Sequence, residues 1–301
     1  MSVVVKIRTK AKDLDFREVL TILARDKGYR IVVTGMDDKF CQCYLHETST
    51  RMIEITKERG GYEVRITSFA SRDEYHFFRD AVQVVMNITG GAGYEENDNG
   101  CKFTVAASYM TEEWIEGHME SSYRITWALA NAHEVTIHHE DDTEETVWEE
   151  GSPYCYFGPH SEFYIGENLF KELGITKDTP WHEGYEKLIE RFRYSQYSRP
   201  DDIRRTSTNM RIKSNNADED EPDKSVTVYA KNEYDMISHA DFIAILTGEE
   251  DMLLITYEKF MEIAPESWER FDECQFFTKD LSDTEFQTLI ERAQPFNELT
   301  R

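Results

Sequence analysis

The chain is poor in the residues that break or staple structure. Its 301 residues include 15 glycines, 7 prolines and 5 cysteines, too few for a collagen-like, low-complexity or disulfide-built chain. It is also poor in cations: 34 Lys and Arg stand against 59 Asp and Glu, a net charge of −25. Nucleic-acid binding rests on neutralising phosphates with Lys and Arg, and the clusters Arg191–Arg193 and Arg204–Arg205 form no basic stripe. The same charge disfavours anionic membrane surfaces. No run approaches the roughly 18 apolar residues of a membrane span. At the N-terminus Val3–Val5 give way at once to Lys6 and Arg8, too soon for the apolar core of a secretion signal. The odd cysteine count shows no pairing framework, so reduced thiols and a cytoplasmic location are expected.

What is present is an acidic, aromatic-rich globular sequence, long enough for one large or two ordinary domains. Val3–Arg8 is the first strand. The segment 11–28 has helical spacing at Leu14, Val19, Leu20 and Leu23, and Gly28 is placed to end it. Four β-rich runs follow from Tyr29 to Ala70, with Gly60–Gly61 as a hairpin signal. Ser71 to Glu74 spells a capping box and opens a helix that Gly90–Gly91 ends. Residues 95–100 read as a turn before a strand from Cys101. A long helix runs from Thr111 to about Ala132, then strand 134–139. The stretch Glu140–Glu150 holds seven carboxylates in eleven positions. An aromatic, strand-like tract spans Pro153–Ile165, and a helix spans Trp181–Tyr197. Residues 215–224 have the composition of a disordered loop. Strands at 225–231, 241–248 and 252–257, a short helix near Tyr257–Ile263, a strand near Cys274–Phe277 and a last helix complete the chain.

The fold class that follows is α+β, with antiparallel sheets carrying helices on one side. An internal echo suggests two similar halves. Residues 52–56 (MIEIT) parallel 252–256 (MLLIT), and the box Ser71–Glu74 parallels Ser282–Glu285. The expected domains are 1–140 and 141–301.

No catalytic motif is complete. The glycine-rich tract 90–93 follows a helix and lacks the Lys-Ser/Thr of a phosphate loop. His133, Glu134 and His138 miss the His-Glu-x-x-His spacing that puts two imidazoles on one helix face. His138 and His139 are adjacent on a strand and point to opposite sides. Glu95, Asn97, Asn99 and Gly100 imitate half a calcium loop, but the twelfth position is Ala106, which offers no ligand. No Gly-x-Ser-x-Gly elbow occurs. Catalytic residues, metal ligands and cofactors are therefore expected to be none. The best ligand-binding candidates are Tyr154, Cys155, Tyr156, His160 and Tyr164, an aromatic tract with one thiol and one imidazole that could line a pocket or alternate into a core.

The successions RMIEIT, GYEVRITSFASRDEYHFFRDAV and YFGPHSEFYIGENL resemble a family of bacterial proteins of unknown function and similar length, the domain-of-unknown-function family numbered 4299. Ser71–Glu74 matches its helix start, and Pro159–Tyr164 matches its mid-chain aromatic tract imperfectly. The resemblance implies a bacterial cytoplasmic protein and carries no functional residues. Two functions remain open. One is a non-enzymatic interaction protein that binds a basic protein partner. The other is a small-molecule sensor or enzyme with a pocket near Tyr154–Tyr164.

Overall fold

The computed structural model describes residues 2–9, 13–95, 101–138, 144–197, 210–212, 224–248 and 251–300. The chain divides into two compact units, Met1–Ser198 and Arg199–Arg301. The class is α+β. The expected boundary at 140/141 falls inside the first unit, because segments beyond it are bonded to segments before it. The Tyr185 hydroxyl donates to the Ala70 carbonyl at 2.6 Å, and the Arg51 guanidinium donates to the Phe157 carbonyl at 2.8 Å.

The first unit opens with β1 (Ser2–Arg8), α1 (Phe16–Lys27), β2 (Ile31–Met36), β3 (Phe40–Leu45), β4 (Ile53–Glu58), β5 (Gly61–Thr67), α2 (Arg72–Thr89), β6 (Ala92–Glu95) and β7 (Lys102–Phe103). These strands form one antiparallel seven-stranded sheet in the order β2-β3-β4-β5-β1-β6-β7. The first strand in sequence lies near the middle because it pairs with β5 on one side and β6 on the other. Alternation sends Val5, Ile7, Ile55, Val64 and Ile66 into the core. Helix α2 packs against β1 and β5 and buries Phe78, Val82 and Val85. Burying each such side chain contributes about 1.5–3 kcal/mol. Left-handed glycines end both helices, Gly28 at φ 73° and Gly90 at φ 62°.

The unit continues with α3 (Ala106–Tyr109), α4 (Glu112–Ala130), β8 (His133–His138), β9 (Glu144–Glu149), β10 (Tyr154–Phe157), β11 (Glu162–Ile165), α5 (Glu167–Glu172) and α6 (Trp181–Tyr197). Two antiparallel hairpins result, β8–β9 and β10–β11. The strand expected from Cys101 shrinks to two residues before the chain turns into α3.

The second unit contains β12 (Met210–Ile212), β13 (Lys224–Tyr229), β14 (Met236–Ile237), β15 (Phe242–Leu246), β16 (Met252–Thr256), α7 (Tyr257–Ile263), β17 (Glu269–Arg270), β18 (Phe276–Phe277) and α8 (Asp283–Ala293). Its larger sheet runs β12-β13-β15-β16, its smaller one β14-β18-β17. The pair β13–β15 is parallel, the one exception to antiparallel pairing among the described strands. Tyr229, Ile243, Ile245, Ile255, Phe260, Trp268 and Leu289 share its core. The expected loop 215–224 lies outside the described residues except for Lys224, which opens β13.

The internal echo is local. MIEIT from Ile53 onward and the whole of MLLIT lie on strands, and Ser71–Glu74 and Ser282–Glu285 both form bonded capping boxes. The connections differ. In the first unit a hairpin partner separates strand from capped helix, whereas β16 runs straight into α7.

Candidate functional site

The aromatic tract folds as the hairpin β10–β11, with Tyr154 opposite Ile165, Cys155 opposite Tyr164 and Tyr156 opposite Phe163. Period-two alternation turns Tyr156 and Phe163 inward, where both are buried. Tyr156 stacks on Phe69 with centroids 4.9 Å apart, carries the Arg51 guanidinium 5.3 Å from its centroid and shares a hydrogen bond with the Thr126 hydroxyl. Burial pushes its phenol up to about 12. It is a core residue. Cys155 and Tyr164 occupy the opposite face. The Tyr164 hydroxyl donates to Glu162 at 2.9 Å, and burial pushes that phenol well up. Tyr154 is exposed, edge-on to Tyr156.

His160 sits at the hairpin turn with Tyr44 and Tyr197 edge-on at 5.6 and 5.3 Å, and its Nε2 lies 3.3 Å from the Tyr44 hydroxyl. Gln196 Oε1 accepts the backbone N–H groups of His160 and Ser161 at 2.9 and 3.0 Å. Of the five expected residues, the structure therefore places Tyr156 inward, Tyr154 exposed beside it, Cys155 and Tyr164 on the other face, and His160 on the turn. It groups His160 with Tyr44 and Tyr197, residues distant in sequence that no motif links.

The acidic stretch builds a more distinctive feature. Its residues 140–143 lie outside the described ones, but 144–149 form β9, paired with β8 in the register His133↔Glu149 to His138↔Glu144. The base is fastened to the end of α4. Asn131 donates through its backbone and side-chain N–H groups to the Trp127 carbonyl at 3.0 and 2.9 Å, and Ser152 donates to the Leu129 carbonyl at 2.9 Å. On this hairpin Trp148 is 63% exposed, the highest value among the exposed large apolar residues described. It stands in sequence between Glu144–Glu145 and Glu149–Glu150. Trp is among the side chains most often found at energetic centres of interfaces.

Acidic groups gather at a second place. Asp13, Asp15, Asp37 and Asp38 line an open recess of about 720 Å³ together with Arg17 and Lys57. Asp15 caps α1 and Asp37 holds the turn before β3 through the N–H groups of Lys39 and Phe40. Asp13 is paired with Lys57 at 2.5 Å but is 87% exposed.

Sequence reasoning also missed Glu95, read as part of a turn. It ends β6 and is buried. Its carboxylate accepts from the Tyr109 hydroxyl at 2.9 Å and the Trp114 indole at 3.1 Å, with His118 Nε2 at 3.5 Å. Burial pushes its pKa up, but the bonds from His118, Tyr109 and Trp114 outweigh that and hold it below the usual carboxylate range. The cluster ties α4 to the sheet. Among the described residues no group of three or more His, Cys, Asp or Glu is placed to hold a metal ion, and no helix is long and apolar enough to cross a membrane.

No family model, curated protein or solved structure matches this chain.

Proposed function

We propose that this is a non-enzymatic, cytoplasmic interaction protein that binds a basic protein partner, with the β8–β9 hairpin as the contact. The observation that carries the reading is the 63% exposure of Trp148 within a strand rich in glutamate. A Lys or Arg laid on the indole face gains a cation–π contact, and the flanking carboxylates supply charge-assisted hydrogen bonds. The net charge of −25 adds long-range attraction for a cationic surface, which raises the encounter rate. The pocket reading near Tyr154–Tyr164 has less support, because Tyr156 and Phe163 are spent on the core, Cys155 and Tyr164 lie on the opposite face of the hairpin, and Tyr154 is exposed beside Tyr156.

The test uses an arginine- and lysine-rich peptide as the probe and compares Trp148→Ala with the parent protein. Truncating an interface tryptophan commonly costs 2 kcal/mol or more, about thirtyfold in affinity. The proposal expects a loss of that order with unchanged thermal stability. Equal affinities for the two proteins would refute it.

A further inference from the structure

A second concave site lies in the first unit, between the C-terminal half of α4, the loop after α5 and the start of α6. It is a cavity of about 370 Å³ walled by Tyr123, Trp127 and Trp181, with Lys177 and Arg124 also lining it. That volume is at the small end of the range for ligand sites, about 300–1,000 Å³.

Three features indicate what would occupy it. First, Tyr123 is only 6% exposed as a residue, but its hydroxyl keeps contact with solvent and makes no hydrogen bond to another described residue, so it is open to an acceptor in the cavity. Gly184 of α6 makes room for this hydroxyl: a Cβ at 184 would lie 2.4 Å from it. Burial and the nearby Glu183 push the Tyr123 phenol up, so at neutral pH it stays a neutral donor. Second, the cations differ. Arg124 is committed to Glu120 through Nε and Nη2 at 2.9 and 2.6 Å. Lys177 has no ion pair among the described residues, in a chain where acids outnumber bases. Glu183, the nearby acid, is itself paired with Lys187 at 2.9 Å. Third, the loop that presents Lys177 is fixed: Thr176 N–H donates to the Thr179 hydroxyl at 2.9 Å, and Thr179 N–H to the Thr176 carbonyl at 3.0 Å.

We infer that this cavity binds a small aromatic carboxylate, with the ring against Trp127 and Trp181 and the anion held by Lys177 and the Tyr123 hydroxyl. Indole faces favour a flat apolar body. The ammonium and the phenol O–H are both donors, so they select an acceptor that is anionic. A cationic ligand would meet Lys177 and Arg124 as like charges. The site is separate from the Trp148 hairpin and does not depend on the partner reading.

Isothermal titration with indole-3-carboxylate, indole and tryptamine tests this. The expected result is saturable binding of the carboxylate, weakened about fivefold by Lys177→Gln and by Tyr123→Phe, the scale of one hydrogen bond. Binding of uncharged indole should be unchanged by Lys177→Gln. Tryptamine should bind more weakly than indole. Lys177 is exposed, so its variant folds normally, and Trp148→Ala should bind the carboxylate as the parent does. Absence of saturable heat for the carboxylate, tryptamine binding as tightly as the carboxylate, or indifference to both groove variants would overturn the inference.

Discussion

Glu74 Oε1 accepts the backbone N–H of Arg51 at 2.6 Å, joining the first turn of α2 to the connection that enters β4. The other oxygen, Oε2, accepts the N–H of Thr50 at 3.1 Å, its hydroxyl at 2.9 Å and the N–H of Ser71 at 2.7 Å. The carboxylate is 1% exposed. A motif expected to cap one helix thus also fixes a remote connection, and Arg51 extends the tie to Thr67 and Phe157.

Glu74→Gln keeps the shape but turns one acceptor oxygen into a donor that faces a donor. The expected cost at neutral pH is about 2 kcal/mol, read from urea denaturation. Burial pushes the Glu74 pKa up, against the opposing bonds from Ser71, Thr50 and Arg51. The native state therefore holds this proton to higher pH than the unfolded chain does. Its contribution is complete below the unfolded carboxylate range and is lost as pH rises through the folded value. The destabilisation caused by Glu74→Gln should accordingly be larger at pH 4 than at pH 7; a difference that grows with pH would contradict this.

All five cysteines are thiols, with Cys41, Cys43 and Cys274 buried, Cys155 half-buried and Cys101 exposed. A thiol reagent added to native protein should modify Cys101 first, because reaction requires access as well as thiolate. Cys41 and Cys43 should react only on unfolding. In denaturant the titration should reach five groups.

Gly184→Ala should destabilise, contrary to the usual helix preference. Within a helix Ala is favoured over Gly by about 1 kcal/mol. Here the new Cβ would meet the Tyr123 hydroxyl at 2.4 Å and two of its ring carbons at 2.8 Å, and overpacking costs about 1–3 kcal/mol. A net loss of about 1 kcal/mol in chemical denaturation is expected. A gain in stability would show that Tyr123 moves aside freely.

Local chemistry made much of this fold legible. Ser71 and Ser282 each accept the N3 backbone N–H, as their spacing implies. Gly28 and Gly60 are left-handed where a helix stop and a turn were expected, and α6 and α7 begin and end where periodicity puts them. Relations between distant segments were not legible. Nothing in Val3–Arg8 says that it lies between β5 and β6, and nothing in 225–231 says that it runs parallel to 241–248. The boundary at 140/141 went with the reading of two similar halves, yet Tyr185, beyond it, reaches back to Ala70. In the tract Tyr154–Tyr164 composition left both pocket and core open, with alternation favouring core. Strand parity decided that Tyr156 is core, and parity depends on pairing that composition does not encode.

The most direct test of the partner proposal is the association rate of the basic peptide as a function of salt, for the parent protein and for Glu144→Gln/Glu145→Gln. Attraction by a field of −25 is screened beyond about 8 Å at physiological ionic strength. The parent's association rate should fall steeply from low to physiological salt while its dissociation rate changes less, and the variant should associate more slowly with a shallower dependence. An association rate indifferent to salt, or a variant that associates as fast as the parent at low salt, would contradict the account.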